Sequence, residues 1–163
     1  MADYTEAHAR SGIGARLPAI ETWPNQYPDY EITVEIPEYN AICPKTGLPD
    51  FGHLTIRYVP DRDCLELKSL KLYIVAFRDV GIFYENAVNR ILEDCVAACR
   101  PRRMSVRGTF SSRGGISSVV EARYPRDSNA PAATASERPA PRGGRRGSRA
   151  AGAGSGRRRS SAR

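Results

Sequence analysis

The amino-acid sequence predicts an α+β domain in which a four-stranded antiparallel sheet carries two helices on one face, in the order ββααββ. Two stretches that alternate apolar and polar residues come first, at 30–42 and 53–60. Apolar residues then recur at helical spacing over 66–100, and alternation returns over 102–124. The change of period from two to 3.6 and back indicates both the fold class and the order of the elements.

The first two strands form a predicted hairpin with a wide loop. The stretch YEITVEIPEYNAI (30–42) alternates isoleucine and valine with glutamate and threonine, and HLTIRYVP (53–60) is its alternating partner. Between them, CPKTGLPDFG (43–52) contains two prolines and two glycines, which are typical of turns. We therefore expect 43–52 to be a loop that is long enough to carry function.

Two helices and a second hairpin follow. ELKSLKLYIVAFRDVG (66–81) has apolar residues at helical spacing and ends at Gly81, a predicted C-cap. YENAVNRILEDCVAACR (84–100) precedes a proline, which ends it. One apolar stripe of this second helix contains Val88, Ile91, Leu92, Cys95, Val96 and Cys99. The last two strands, 102–110 and 114–124, are expected to pair around Ser-Arg-Gly-Gly.

The composition divides the 163 residues into an N-terminal arm (1–28), a folded domain (29–126) and a tail (127–163). The tail has nine arginines and two acids, so the formal charge of +7 lies there and the rest is neutral. Its other residues are mainly Ala, Gly, Ser and Pro, a composition that predicts disorder. Such a tail can bind RNA through phosphates, but without aromatic residues a plain solvating extension is the favoured interpretation.

No apolar run is long enough to cross a membrane, and the N-terminus has no secretory h-region. The four cysteines are therefore expected to be reduced thiols of a cytoplasmic protein. Zinc is a minor alternative, because no usual ligand spacing is present. The side chains that would have to supply it are Cys43, His53, Cys64, Cys95 and Cys99.

Cys43 is the first candidate for chemistry. Cys95 and Cys99 fit the ordinary role of buried structural cysteines, but Cys43 stands where a strand opens into a Pro/Gly loop. Lys45 beside it favours the thiolate. A thiol nucleophile needs a proton source for the atom that its attack makes basic, and Asp50 is the nearest carboxylate on the predicted loop.

Several charged side chains are candidates for ligand binding. Lys68 and Lys71 lie three apart near a predicted helix N-terminus, where cations and free backbone N–H groups favour phosphate. Arg113 is a third cation, next to two glycines. Glu85, with Tyr84 beside it, is an acceptor that suits the N–H edge of a guanine-like ring. The ordinary alternatives are a solvated charged face and a helix-dipole contact.

These stretches together resemble one family. CPKTGLPDF, ELKSLKLYIVAFR, FYEN and RGGI occur in the order and at the separations of the NADPH-dependent 7-cyano-7-deazaguanine reductases (QueF) of queuosine biosynthesis. The resemblance covers about residues 30–120 and is to the short, single-module form. It implies the tunnelling fold (T-fold), and a homo-oligomer, a pentamer or a decamer of two rings, with sites at subunit interfaces. It also implies a small deazapurine substrate and no metal.

The resemblance assigns roles to ten residues. Cys43 corresponds to the nucleophile that forms a covalent thioimide with the nitrile, and Asp50 to the proton donor. The substrate-contacting positions that it implies are Leu65, Glu66, Leu67, Tyr84 and Glu85. The positions implied for the NADPH phosphates are Lys68, Lys71 and Arg113. One position departs from the family: histidine commonly precedes the glutamate, and this chain has Tyr84, which does not relay protons near neutral pH.

Nitrile reduction accounts for a thiol at the mouth of this loop. Thiolate addition converts the nitrile into an electrophilic C=N, and nitrile to amine is a four-electron reduction, so two NADPH are expected per turnover. Three alternatives stay open: a zinc-dependent cyclohydrolase of the same fold, a non-enzymatic RNA-binding protein that acts through its tail, and an inactive homologue.

Overall fold

The computed structural model describes residues 3–126 of the chain, so the predicted disordered tail lies outside the described residues. The strands are β1 (Thr22–Pro24), β2 (Ile32–Ile42), β3 (Pro49–Val59), β4 (Asp63–Leu65), β5 (Arg103–Arg113) and β6 (Ile116–Tyr124). The α-helices are α1 (Glu6–Arg10), α2 (Leu67–Val75) and α3 (Tyr84–Cys99), and a 3₁₀ turn (Ala76–Asp79) follows α2.

The four long strands form one antiparallel sheet in the order β2-β3-β5-β6. In β3 every second residue is buried, from Asp50 through Gly52 and Leu54 to Tyr58, as the alternating sequence requires. Buried side chains of all four strands, α2 and α3 belong to one hydrophobic cluster, so both helices cover the same face of the sheet. The α+β class is confirmed.

The helices end differently from the sequence prediction. The helical segment after Glu66 changes to the 3₁₀ turn at Ala76, and the predicted C-cap at Gly81 is wrong. Gly81 instead forms a parallel bridge with Ile42 at the end of β2. Helix α3 ends as predicted before Pro101, with Arg100 in the left-handed conformation (φ 45°).

The opposite face of the sheet is polar and its charges are paired. Glu31 accepts from Arg57 at 2.6 Å, and Glu35 accepts from Thr55 at 2.8 Å and contacts His53. Exposed pairs of this kind contribute little to stability, about 0–1 kcal/mol each. Because His53 contacts Glu35 on this polar face, the histidine that the zinc alternative needs lies on the side of the sheet away from the helices. Among the described residues, no helix is long and apolar enough to cross a membrane.

The segment predicted to be an N-terminal arm contains a helix and a strand. Thr5 caps the short α1, and β1 pairs with β4 in a second, two-stranded sheet. Ser11 Oγ donates to the Gly81 carbonyl at 2.6 Å, and Asn86 Nδ2 donates to the Ala9 carbonyl at 2.7 Å. These contacts hold the segment against the start of α3.

Candidate active site

The β2–β3 hairpin places Cys43 and Asp50 on the same face of the sheet. Asp50 pairs with Ala41, and directly paired residues share a face. Burial alternates along β2 through Tyr39 and Ala41 and continues to Cys43, so the thiol and the carboxylate lie on the helix-covered side. Asp50 is therefore a strand residue, and the prediction that it belongs to the loop is wrong. Pro49 indicates a turn in the sequence, but it occupies the first position of β3, where proline is tolerated.

A tight turn presents the Cys43 sulfur to several hydrogen-bond donors. The Cys43 N–H donates to the Leu48 carbonyl, and the Gly47 N–H donates to the Cys43 carbonyl, both at 2.9 Å. Burial raises the pKa of the Cys43 thiol, but hydrogen bonds from the Thr46 side chain and from the Thr46 and Lys45 backbone lower it by more. The pKa of the thiol therefore lies below its ordinary value, as a nucleophile requires.

Asp50 is a nearly buried carboxylate with one ion-pair partner. Its side chain is 7% exposed and lies 2.6 Å from an Arg113 guanidinium nitrogen. The same nitrogen donates to the Pro49 carbonyl. Burial raises the pKa of Asp50, and the charge and hydrogen bond of Arg113 offset only part of that effect. The structure thus brings together two site residues that the sequence assigned to different functions.

The bridge between Ile42 and Gly81 brings the start of α3 to the thiol turn. The Ile42 N–H donates to the Val80 carbonyl at 3.0 Å, and the Ile82 N–H donates to the Ile42 carbonyl at 2.9 Å. Two residues after Ile82, α3 begins with Tyr84 and Glu85. The Glu85 side chain is exposed in the first helical turn. The residue before Cys43 thus contacts the segment that leads into α3, although about forty positions separate them in sequence.

The aromatic residue Phe110 forms the floor beside this site. Its ring stacks on Tyr84, with centroids 4.3 Å apart and planes at 24°. Gly52 and Gly108 lie beneath the ring, and a Cβ at either position would approach a ring carbon to 2.7 Å. Sequence reasoning missed Phe110, but two glycines inside alternating strands are a signal for close approach. Tyr84 is therefore fixed by stacking.

Tyr39 packs against Phe110 and has a buried hydroxyl without a hydrogen-bond partner in residues 3–126. Its ring packs edge-on against Phe110, with centroids 6.2 Å apart, and the residue is 1% exposed. Among the described residues, its hydroxyl is the buried side-chain oxygen without a hydrogen-bond partner. Burial, and then the charge of Asp50, raise the pKa of this hydroxyl.

Comparisons with known proteins identify the family. The family model described as QueF-like protein matches residues 49–129. The NADPH-dependent 7-cyano-7-deazaguanine reductase of Elusimicrobium minutum is 57% identical over 122 residues, which are 74% of this chain and 92% of the relative. The chain belongs to this reductase family. The reductase of the same name from Chlorobaculum tepidum is also 57% identical, over 107 residues that are 64% of this chain and 92% of that relative.

A solved structure supports the fold of this family member. The crystal structure of the apo archaeosine synthase QueF-Like matches with a TM-score of 0.54 and 22% sequence identity. The match covers 57% of this chain and 91% of that chain. At this identity the likeness concerns the fold alone.

In this reductase family member, Glu66 has a structural role that the sequence analysis did not predict. Its carboxylate is the N-cap of α2 and accepts from the Lys68 N–H at 2.8 Å and the Ser69 N–H at 2.7 Å. These bonds lower the pKa of Glu66. The expectation that the backbone N–H groups of this helix start are free for phosphate is wrong, because Glu66 occupies two of them. The two neighbouring leucines, which were also predicted to contact the substrate, differ in exposure. Leu65 is in the core at 2% exposure, whereas Leu67 is exposed.

The side chains of the two predicted lysines are exposed to solvent. Lys68 and Lys71 are exposed on α2, and Lys71 lines a groove of about 340 Å³ between α2 and the edge strand β2. Arg78, which the sequence analysis missed, lines the same groove seven residues further along. Neither Lys71 nor Arg78 forms an ion pair with any residue in 3–126. The donor set fits an anion with several phosphates.

The remaining cysteines of the reductase family member are structural. Cys64, Cys95 and Cys99 are buried at 1% exposure or less, and all four cysteines are free. Burial raises the pKa of Cys95, and it raises that of Cys99 to about 12. Within residues 3–126, no three His, Cys, Asp or Glu side chains form a group that could hold a metal ion.

Proposed function

We propose that this chain is a nitrile reductase that converts 7-cyano-7-deazaguanine to 7-aminomethyl-7-deazaguanine with NADPH, for queuosine biosynthesis. The observation that carries the proposal is the pairing of an activated thiol with a buried carboxylate on one face of the sheet, at Cys43 and Asp50. Membership of a family whose curated relatives bear that name supports it.

In the first step the thiol of Cys43 adds across the nitrile. The sulfur forms a bond to the nitrile carbon, one C–N π bond breaks, and the thiol proton ends on nitrogen, which gives a covalent thioimide. Asp50 carries that proton from sulfur to nitrogen and is regenerated as a carboxylate. The pKa of Cys43 is lowered and that of Asp50 is raised, so the two values approach each other and the transfer costs less.

Reduction of the thioimide to the amine takes up two hydrides and two protons, breaks the carbon–sulfur bond and releases the Cys43 thiol. NADPH, when bound, would supply one hydride per molecule, so two NADPH are expected per nitrile. The exposed ammonium groups of Lys68 and Lys71 would hold the cofactor phosphates, with Arg78 at the end of the same groove. Arg113, the third predicted cofactor ligand, has Asp50 and Pro49 as partners in this chain, so a phosphate would have to share its guanidinium.

The deazapurine would be held at the start of α3. The exposed carboxylate of Glu85 accepts hydrogen bonds from the ring N–H edge, and Tyr84 offers an aromatic face and a hydroxyl. Glu66 and Leu67 would contact the substrate from α2, whereas Leu65 supports them from the core. Tyr84 does not take the place of a histidine in proton transfer; Asp50 suffices for the step derived above.

We further propose that the domain has the T-fold and works as a homo-oligomer, a pentamer or a decamer of two rings. Exposed apolar side chains flank the site residues: Leu48 is 61%, Phe51 55% and Leu67 59% exposed. A cavity of about 660 Å³ lies near Phe51 and Arg78, but its lining contains neither Cys43 nor Asp50. A second copy of the chain that covers these apolar side chains would shield the Cys43 thiol from solvent and complete a substrate pocket around it.

The test is NADPH oxidation with 7-cyano-7-deazaguanine, followed by nicotinamide absorbance, for wild type and Cys43→Ala. We expect two NADPH per nitrile for wild type and none for the variant. Intact-mass spectrometry without NADPH should show one adduct on wild type and none on Cys43→Ala. An adduct without turnover would mean that the substitution at Tyr84 or another departure stops the reduction. If the wild type forms no adduct and oxidises no NADPH, the proposed function is refuted.

A further inference from the structure

The side chain that holds Asp50 comes from the neighbouring strand β5, at the same end of the sheet. Arg113 is the last residue of β5, and Asp50 is the second of β3, 63 positions earlier. One guanidinium nitrogen lies 2.6 Å from the Asp50 carboxylate and also donates to the Pro49 carbonyl. The register of β5 and β6 shifts between Phe110 and Arg113 and then turns at two glycines with positive φ. Because Gly52 of β3 pairs with Phe110 of β5, Arg113 lies beside the start of β3, within reach of Asp50.

The two partners differ strongly in exposure. The Asp50 side chain is 7% exposed, whereas that of Arg113 is 44% exposed. A buried carboxylate that has one charged partner depends on it for its orientation and for the stability of its ionised form. The half-exposed guanidinium can be replaced without opening a cavity in the core. A partly exposed arginine therefore holds a buried carboxylate in place, and we call this contact the Arg113 clamp.

We propose that Arg113 is a positioning residue for Asp50: it fixes the carboxylate beside the thiol turn and keeps it ionised, so that it can accept the proton of Cys43. The proposal rests on the proposed function, because it takes Asp50 as the proton carrier. It differs from the cofactor role that the resemblance implies for Arg113, which concerns phosphates.

The other groups that face Asp50 do not provide this effect. The charge of Asp50 raises the pKa of the Cys43 thiol, and the protonated thiol carries no charge that would stabilise the carboxylate. Tyr39 is buried and neutral, and the charge of Asp50 makes it harder to ionise. Arg113 on β5 is thus the one cation that lowers the pKa of Asp50 among the described residues. Its removal should leave a carboxyl that ionises only at higher pH.

The experiment measures the rate of adduct formation against pH without NADPH. In the proposed step Asp50 must be ionised and Cys43 protonated, so the rate rises through one titration and falls through another. Arg113→Gln should move the acidic limb to higher pH and slow adduct formation on that limb about tenfold, because an adjacent opposite charge typically changes a carboxyl pKa by about one to three units. Arg113→Lys keeps the charge and should restore most of the rate.

Arg107→Gln is the matched control. Arg107 is on the same strand, is similarly exposed and pairs with Glu121 at 3.8 Å, away from the site. It should leave the profile unchanged. An Arg113→Gln profile that matches wild type, or an equal shift in the Arg107 variant, would overturn the proposal.

A second readout does not depend on the reaction. The ¹³C NMR signal of the Asp50 carboxyl, assigned with Asp50→Asn, is titrated in wild type and in Arg113→Gln. The titration should move to higher pH in the variant, and an unmoved titration would refute the clamp. If wild type forms no adduct, the proposed function fails, and this titration still decides whether Arg113 controls Asp50.

Discussion

Gly108→Ala should destabilise the protein, although alanine usually suits a strand better than glycine. The added Cβ would lie 2.7 and 2.9 Å from two carbons of the Phe110 ring and 3.0 Å from a methyl of Leu54. To restore a contact of about 3.5 Å, the ring must retreat by roughly 0.8 Å. It cannot retreat freely, because Tyr84 stacks on it at 4.3 Å.

The magnitude follows from two opposing effects. Replacement of a strand glycine by alanine at an open position stabilises by roughly 0.5–1 kcal/mol, because the unfolded chain loses freedom. Overpacking of a filled site costs about 1–3 kcal/mol. We therefore expect a net loss of about 1 kcal/mol in the free energy of unfolding, and a higher KM for the nitrile because Tyr84 is displaced.

Urea unfolding of Gly108→Ala beside Gly14→Ala measures this loss. Gly14 has no atom within 4 Å of an added Cβ, so its variant should be no less stable than wild type. Phe110→Leu combined with Gly108→Ala should recover part of the loss, since leucine leaves the Cβ more room. If Gly108→Ala is as stable as Gly14→Ala, the reasoning about the ring is wrong.

Three further predictions concern charge and burial at the site. A thiol reagent near neutral pH should modify Cys43 before Cys95 in peptide mass spectrometry, because their pKa values are shifted in opposite directions; equal rates would contradict this. Burial raises the pKa of Asp50 above its unfolded value, so its ionisation costs stability as pH rises through the folded pKa. Asp50→Asn should therefore raise the Tm at neutral pH and lose that advantage in acid; a constant difference would count against the shift. Glu66→Ala should lower the Tm whereas Glu66→Asn, which still caps α2, should not; if both lower it equally, the cap is not the cause.

Local patterns predicted the elements of this fold. Burial in the structure follows the sequence periods: it alternates along β2 and β3 and follows the apolar stripe of α3. The reason is that each of these elements buries one face. The order of the long elements follows from the same patterns. The small β1–β4 sheet was missed, since three-residue strands carry no detectable period.

The site was only partly predictable, because its contacts join distant positions. Pro49 indicates a loop, and only the pairing with β2 makes Asp50 a strand residue. No local pattern relates Arg113 to Asp50, since the pairing depends on the sheet register and on a bulge near the end of β5. Glu66 caps α2, but glutamate is not among the residues that usually cap helices, so no local pattern predicts this role. The roles of the ten predicted site residues stay predictions until the experiments above are done.

The attachment of the N-terminal segment has a consequence during synthesis. Ser11, Ala9 and Ile13 contact partners at Gly81, Asn86 and Arg90, which lie 70 to 77 residues later in the chain. At about 5–20 residues per second, the ribosome takes roughly 4–15 s to deliver those partners. This segment therefore has to wait for the start of α3, and a nascent chain stalled before residue 81 would leave it accessible to protease. Residues 9–13 are thus made well before the partners that complete their native contacts.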